Sequence, residues 1–168
     1  MSNVPVFLSE KATGYRNRAM AYLMLNFGMV SDKIDETLDL YFQQCSILVN
    51  AKDLAMLAAT LANGGVNPVT EERAIDERYV QNVISVMLTC GMYHASSEWC
   101  YRVGMPAKSG VGGGITAVVP GKFGIGTFSP PLDAKRNSVP GIKVCEDLSE
   151  DFGLHLFNVA KSEQNLQD

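Results

Sequence analysis

The sequence predicts an α+β fold, in which a cluster of helices is followed by an antiparallel sheet that carries a C-terminal helix. Two observations lead to this fold class. Before Gly91, apolar residues recur every three or four positions in segments rich in helix-forming residues. After Gly91, short segments rich in β-branched and aromatic residues are bounded by glycine or proline.

The composition is that of a folded globular protein. Apolar residues make up 46% and charged residues 19% of the 168 residues, which excludes a largely disordered chain and indicates one domain. The net charge is −4 and the basic residues are scattered, which disfavours a nucleic-acid surface. The apolar run at 54–61 is too short to span a membrane, and the N-terminus does not resemble a signal peptide. We therefore expect a cytoplasmic protein that binds neither nucleic acid nor membrane.

The cysteines do not form a metal-binding pattern. Cys45, Cys90, Cys100 and Cys145 include no C-x-x-C pair, and no His-x-x-x-His motif accompanies them. We expect reduced thiols in the core and no zinc site. Trp99 and the methionines are also expected in the core.

Helices dominate the first half of the chain. Gly28 is placed to end the first helix, and Ser31 or Asp32 can cap the second. Asn50 can cap the third, which is apolar nearly all round and is expected to be buried. Asp76 can cap the fourth. The predicted helices are 18–27, 34–45, 51–63 and 76–90.

The second half predicts an antiparallel meander. Pro120-Gly121 is a tight-turn signal between the last two strands. A sheet of this size is thin and has two open edges, so we expect it to need strands that this chain does not supply. The predicted strands are 99–104, 114–120 and 122–129.

A closing helix is predicted at 139–152, where Pro140 can begin it. The polar stretch 161–168 is expected to be a frayed tail outside a domain of residues 1–160.

The glycine-rich stretch "PAKSGVGGG" at 106–114 is the first candidate for a functional site. It does not fit a phosphate-binding loop, because Ala107 rather than glycine precedes Lys108 and the glycines follow the lysine. It does not fit a dinucleotide fingerprint either, because strands are predicted on both sides. Two interpretations remain: a connection between strands, or the K-[ST]-G element of serine β-lactamases and penicillin-binding proteins, matched by Lys108-Ser109-Gly110.

Several further stretches, together with this one, resemble the serine-dependent glutaminases. This family has a β-lactamase-like fold and hydrolyses L-glutamine to L-glutamate and ammonia without a cofactor. The similarity covers nearly the whole chain in order. The stretches are "SEKATGYRNRAMA" (9–21), "LDLYFQQCSI" (38–47), "ATLANGGVNPVT" (59–70), "CGMY" (90–93), "YRVGMPAKSGVGGGI" (101–115) and "FSPPLDAKRNSVPGI" (128–142).

The family's Ser-x-x-Lys nucleophile motif does not occur in this sequence. The resemblance therefore implies the C-terminal half of a catalytic domain, which is inactive alone and needs the N-terminal half as a partner. That half would also bring the first strands of the sheet. The resemblance further implies a homo-oligomer.

Three substrate-binding residues follow from the resemblance in the helical part: Glu10, Asn17 and Tyr41. A carboxylate suits the ammonium group of glutamine, and a neutral amide suits its carboxylate or amide group. The residues alone support another interpretation, in which Glu10 compensates the dipole in a first helical turn, Asn17 is a surface residue and Tyr41 belongs to an apolar helix face.

The resemblance implies that Tyr93 contacts substrate and assists proton transfer beside the nucleophile. A tyrosine is a poor base at its ordinary pKa near 10, so this role needs a nearby cation, which the absent lysine or Lys108 can supply. Val111 is implied to bind substrate and to donate its backbone N–H to the oxyanion hole. Lys108, Ser109 and Gly110 are implied to line the site. Ser109 is not expected to be the nucleophile, because no lysine or histidine lies at a helical spacing to activate it.

Two other function classes stay open at this point. One is a non-catalytic binding or interaction module derived from a glutaminase half. The other is a penicillin-recognising protein. A Ser-His-Asp triad with His94 or His155 is disfavoured, because no G-x-S-x-G nucleophile motif is present.

Overall fold

The computed structural model describes residues 3–158, which form seven α-helices and one three-stranded sheet. The α+β class and its order are confirmed: helices first, then a meander, then a closing helix. The chain divides into two compact units, the first ending at Val49 and the second beginning at Asn50. The predicted polar tail lies outside the described residues, so the division into a domain and a tail stays a prediction.

The first unit consists of three helices: α1 (Val4–Thr13), α2 (Tyr15–Asn26) and α3 (Ile34–Cys45). Its core is the face of α3 on which Ile34, Leu38 and Phe42 recur at the spacing of one helical turn. The helices predicted at 18–27 and 34–45 are confirmed, but capping by Ser31 or Asp32 is wrong. The residue before α3 is Lys33, and no side chain caps the helix.

The second unit begins with α4 (Ala51–Ala62) and α5 (Glu77–Cys90), and both predicted caps are confirmed. Asn50 and Asp53 form a reciprocal capping box at the start of α4. The Asp76 carboxylate accepts the Arg78 N–H at 3.1 Å at the start of α5. The expectation that α4 is buried all round is wrong, because Leu57 is exposed on the side away from the sheet.

The strand predicted at 99–104 is wrong, because this segment lies in α6 (Ser96–Arg102) and the turn after it. Its β-branched and aromatic residues favour a strand locally. Tertiary packing overrides that preference: Trp99 and Val103, one helical turn apart, are both buried in the main core. The Trp99 indole N–H also donates to the Met105 carbonyl at 2.6 Å.

The sheet is an antiparallel meander in the order β1-β2-β3. The predicted turn is confirmed at Pro120-Gly121, where Gly121 has a φ of +70°. The first strand is not the predicted one but lies inside the glycine-rich stretch. The strands are β1 (Ala107–Ser109), β2 (Gly114–Val119) and β3 (Phe123–Phe128).

The sheet packs between two helical layers. On one face, the Thr116 hydroxyl donates to the Leu54 carbonyl of α4 at 2.8 Å. Glycines on β3 let the backbone of α4 come close, because a Cβ atom at Gly124 or Gly126 would overlap α4 main-chain atoms. On the other face, a core that includes Ile115 of β2 contacts α6 and the closing helix α7 (Val139–Asp151), as predicted.

The two edges of the sheet differ. The outer edge of β1 is covered, because the Ser109 N–H donates to the Gly91 carbonyl at the end of α5 at 3.1 Å. β3 has a neighbouring strand on one side only within residues 3–158. The expectation of an open edge therefore applies to β3.

The expectation that the cysteines lie in the core is correct only for Cys145. Cys45 and Cys90 are exposed, and Cys100 is half-buried. The methionines divide similarly: Met87, Met92 and Met105 are buried, whereas Met20 and Met29 are exposed. None of the described helices has the length and hydropathy needed to cross a membrane.

The burial of Cys145 leads to a testable difference in thiol reactivity. Burial raises the pKa of the Cys145 thiol from 9.0 to about 12, so the reactive thiolate is suppressed in the folded protein. We expect iodoacetamide at about pH 8 to label Cys45 and Cys90 but to label Cys145 only after unfolding. Peptide mass spectrometry measures each site. Equal labelling of Cys90 and Cys145 in the folded protein would contradict the burial.

The same pKa shift sets the sign of a pH dependence. Above pH 9 the thiol ionises in the unfolded chain but stays neutral in the folded one until about pH 12. Ionisation therefore favours the unfolded chain, and this thiol lowers the free energy of unfolding by up to about 1.4 kcal/mol per pH unit in that window.

Candidate active site

Tyr93 occupies an unusual backbone conformation just after α5. It begins a single 3₁₀ turn, Tyr93–Ala95, with a φ of +53°. A left-handed conformation is uncommon for a bulky residue and is held in place only by its surroundings. The side chain remains 44% exposed. Such strain at an exposed polar aromatic residue is typical of functional sites.

Gly91 fixes the end of α5 against β1. A Cβ atom at this position would overlap the carbonyl oxygens of Ala107 and Met87. Only glycine therefore permits this approach. The contact, together with the Ser109 N–H bond to the Gly91 carbonyl, brings Tyr93 beside the glycine-rich stretch.

Lys108 and Tyr93 are in direct contact. The Lys108 Nζ lies 4.4 Å from the centroid of the Tyr93 ring, a cation–π distance. The same ammonium group donates a hydrogen bond to the Ser109 carbonyl. A cation therefore lies over the face of the Tyr93 ring.

Ser109 contacts Lys108 and Gly91 through its main chain rather than through its side chain. Its carbonyl accepts from Lys108 and its N–H donates to Gly91. The side chain is 2% exposed, and Oγ has no hydrogen-bond partner among the described residues. Strand alternation puts it on the face of Ala107, opposite Lys108. Within this unit, Ser109 therefore holds Lys108 through its main chain.

The glycine-rich turn leaves the Val111 main chain accessible. The turn is closed by Gly110 N–H to the Gly114 carbonyl and by Gly113 N–H to the Gly110 carbonyl, both 2.9 Å. Val111 is 59% exposed, and none of the hydrogen bonds recorded for residues 3–158 uses its N–H. This N–H is therefore free to bind an acceptor.

The glycines of the turn serve different purposes. A Cβ atom at Gly112 would have nothing within 4 Å, so this side of the turn is open. Gly113 instead has a φ of +97° and lies where a Cβ atom would overlap the Ser129 carbonyl. Gly113 is therefore required by packing within the chain, whereas Gly112 leaves space for a ligand.

The first unit carries the other three predicted residues, one on each helix. Glu10 is exposed in the last turn of α1, so the alternative that it compensates a first-turn dipole is wrong. Asn17 is half-buried in the first turn of α2. Tyr41 is exposed on α3, with its ring edge-on to Phe42 at a centroid distance of 5.9 Å.

Gly14 brings the three helices together. It connects α1 to α2 and packs directly on the fully buried Phe42 of α3. A Cβ atom there would overlap the Phe42 ring. The helices that carry Glu10, Asn17 and Tyr41 therefore meet at one point of the first unit.

The two histidines differ in their surroundings. His94 is exposed next to Tyr93. His155 accepts the Phe157 N–H at Nδ1 at 3.1 Å, and its Nε2 lies 3.2 Å from the Tyr101 carbonyl. These bonds to the main chain give His155 a structural role after α7.

A cavity of about 300 Å³ lies elsewhere in the second unit, between α6 and α7. Its basic groups are already paired: Arg102 contacts Glu98 at 3.2 Å and Glu146 at 2.7 Å, and Lys143 contacts Asp147 at 2.6 Å. The hydrogen bond from Lys135 is the largest of the effects that lower the pKa of Glu98. The cavity therefore offers a ligand no unpaired basic group, unlike the Tyr93–Lys108 group. No cluster of metal-binding side chains occurs in the described part of the chain.

Sequence reasoning missed Gly91 as a determinant of this site. In sequence, Gly91 only ends a helix. Its partner Ala107 lies beyond the whole of α6, so no local pattern indicates the contact.

The chain matches the family model described as Glutaminase over residues 1–157. A glutaminase of Microcystis aeruginosa is 79% identical over 165 residues, which cover 98% of this chain and 49% of the relative. The chain thus spans about half the length of the curated relatives it matches.

Solved structures of glutaminases are similar to this chain. The Bacillus subtilis glutaminase YbgJ, in a covalent complex with 5-oxo-L-norleucine, has a TM-score of 0.88 at 36% identity, covering 94% of this chain and 56% of that chain. Mglu in its glutamate form has a TM-score of 0.87 at 43% identity, covering 94% and 36%. These similarities confirm the expected β-lactamase-like α+β fold.

Proposed function

Because the chain belongs to the glutaminase family, we propose that it acts as the C-terminal half of an enzyme that hydrolyses L-glutamine to L-glutamate and ammonia. One observation carries the proposal: the family match extends over residues 1–157 of a sequence that contains no Ser-x-x-Lys motif. The nucleophile would come from an N-terminal half.

Three residues of the first unit are proposed to bind the substrate. The Glu10 carboxylate binds the ammonium group of glutamine, the Asn17 amide binds its polar groups, and Tyr41 contacts it through the phenol. The exposure of Glu10 and Tyr41 supports these roles, because both side chains can reach a ligand.

The chemistry is proposed to proceed through an acyl-enzyme. The serine of the N-terminal half attacks the side-chain amide carbon, and Tyr93 assists transfer of the serine proton to the departing ammonia. Water then hydrolyses the acyl ester and releases glutamate. The covalent complex of the Bacillus subtilis relative supports a covalent route.

The oxyanion that forms in each step is proposed to bind the Val111 N–H together with the N–H of the nucleophilic serine. The free Val111 N–H in an open turn supports this role. One such donor lowers the barrier by about 3 kcal/mol. Lys108, Ser109 and Gly110 line this part of the site.

The need for a partner has support in the first unit. Neither α1 nor α2 contains a buried residue, and the exposed apolar side chains of α2 include Leu23 and Phe27. Such a surface is typical of a protein interface. Association with the N-terminal half and homo-oligomer formation both stay proposals, as does a cytoplasmic location.

The proposal predicts that this chain alone does not hydrolyse glutamine. Activity is expected when it is co-expressed with the part of the Microcystis aeruginosa relative that the match does not cover; this pair is called the reconstituted enzyme below. Ammonia release measures turnover. Ser109→Ala is the control, and turnover by the chain alone that this change abolishes would make Ser109 the nucleophile and overturn the proposal.

The rival class, a non-catalytic binding module, is favoured only by the absence of the nucleophile motif. Calorimetry separates the two. An enzyme half binds glutamine only with its partner half, whereas a module binds a different ligand tightly by itself. A labelled β-lactam that leaves the reconstituted enzyme unmodified excludes a penicillin-recognising protein.

A further inference from the structure

We infer that Lys108 is a positioning residue that holds the Tyr93 ring in place for proton transfer, an inference that rests on the proposed function. Lys108 is not assigned a contact with glutamine or with the nucleophile. It acts through Tyr93, whose ring centroid lies 4.4 Å from its Nζ.

Tyr93 needs such a restraint. Its backbone is left-handed, with a φ of +53°, and its side chain is 44% exposed. An exposed side chain changes rotamer rapidly unless a contact holds it. A proton-transfer group must nevertheless be held within a fraction of an ångström of its working geometry.

Lys108 is suited to provide the restraint because it is itself fixed at both ends. Its main chain belongs to β1, which pairs with β2 and is bound to the end of α5. Its ammonium group donates to the Ser109 carbonyl. The ring is thus held by a group that the sheet positions.

No carboxylate competes for this ammonium group within residues 3–158, because none of the ion pairs there includes Lys108. A cation without a counter-ion keeps its attraction for an aromatic face. The cation–π contact with Tyr93 therefore does not compete with an ion pair for the Lys108 ammonium group.

Three variants test the inference in the reconstituted enzyme. Lys108→Met removes the charge but keeps an unbranched side chain of similar length. Lys108→Arg keeps a cation that also stacks on aromatic faces. Lys122→Met is the matched control, since Lys122 is an exposed lysine in the β2–β3 turn.

Kinetics provide the first readout. We expect Lys108→Met to lower kcat by about tenfold with KM changed less than about twofold, and Lys108→Arg to restore most of kcat. Lys122→Met should leave both constants unchanged. An unchanged kcat in Lys108→Met, or a raised KM at normal kcat, overturns the inference, and the latter makes Lys108 a substrate ligand.

Fluorine NMR provides a readout that does not depend on activity. Both chains of the co-expressed pair are labelled with 3-fluorotyrosine, and the resonance that Tyr93→Phe removes is assigned to Tyr93. Lys108→Met should move that resonance, whereas Lys122→Met should not. An unmoved resonance overturns the inference. If the reconstituted protein does not hydrolyse glutamine, the proposed function fails, while the resonance still decides whether Lys108 holds Tyr93.

Discussion

Replacing Tyr93 by phenylalanine is expected to lower kcat of the reconstituted enzyme by about 10²–10⁴-fold, the range for loss of a positioned proton-transfer group. The change removes only the hydroxyl. Phenylalanine keeps the ring face that contacts Lys108, so the fold and the cation–π contact are expected to remain. Steady-state ammonia release at saturating glutamine measures the loss.

Tyr101→Phe is the matched control, because Tyr101 is an exposed tyrosine on α6. It should retain parental activity. A Tyr93→Phe enzyme with normal kcat and raised KM would instead mean that the phenol binds substrate without moving a proton. Normal values of both constants would remove Tyr93 from the site.

Replacing Gly126 by alanine is expected to lower the free energy of unfolding by about 3 kcal/mol. A Cβ atom there would overlap the carbonyl oxygen of Ala51 and the amide nitrogen of Ala55. Both are main-chain atoms of α4, which cannot move without shifting the helix from the sheet. Chemical denaturation of the reconstituted protein measures the change.

The control for this prediction is Gly112→Ala in the glycine-rich turn. Nothing lies within 4 Å of a Cβ atom at Gly112, and its φ is not positive. The free energy of unfolding should change by less than about 1 kcal/mol. Equal effects of the two substitutions would mean that α4 and β3 do not pack as closely as described.

The sequence predicted those elements whose signals are local. Asn50 and Asp76 begin α4 and α5 as expected, and Pro120-Gly121 forms the turn between β2 and β3. In each case, one or two residues at the boundary of the element indicate where it begins or turns. Such signals do not depend on what the segment packs against.

The wrong predictions concern segments whose secondary structure depends on tertiary packing. The Trp99 segment has the composition of a strand, yet burial of Trp99 against the sheet makes it a helix. α1 was not predicted, because none of its residues is buried and its apolar residues follow no face. A helix without a buried face shows no periodic pattern of apolar residues in its sequence.

The candidate site was predicted by resemblance rather than by physical pattern. Taken alone, Glu10, Tyr41 and Tyr93 are ordinary helix or surface residues. Their roles in glutamine hydrolysis stay predictions. What the structure adds is the contact between Lys108 and Tyr93 and its dependence on Gly91, which connects segments that are distant in the chain.

The one-sided pairing of β3 has a practical consequence for handling this polypeptide. Within residues 3–158, β3 has no strand on its outer side, and exposed phenylalanines, Phe123 and Phe128, stand at its two ends. An unpaired edge of this kind recruits other polypeptides, including misfolded copies of itself. We therefore expect production of this chain by itself to favour inclusion bodies, and co-expression with the proposed N-terminal half to raise its yield.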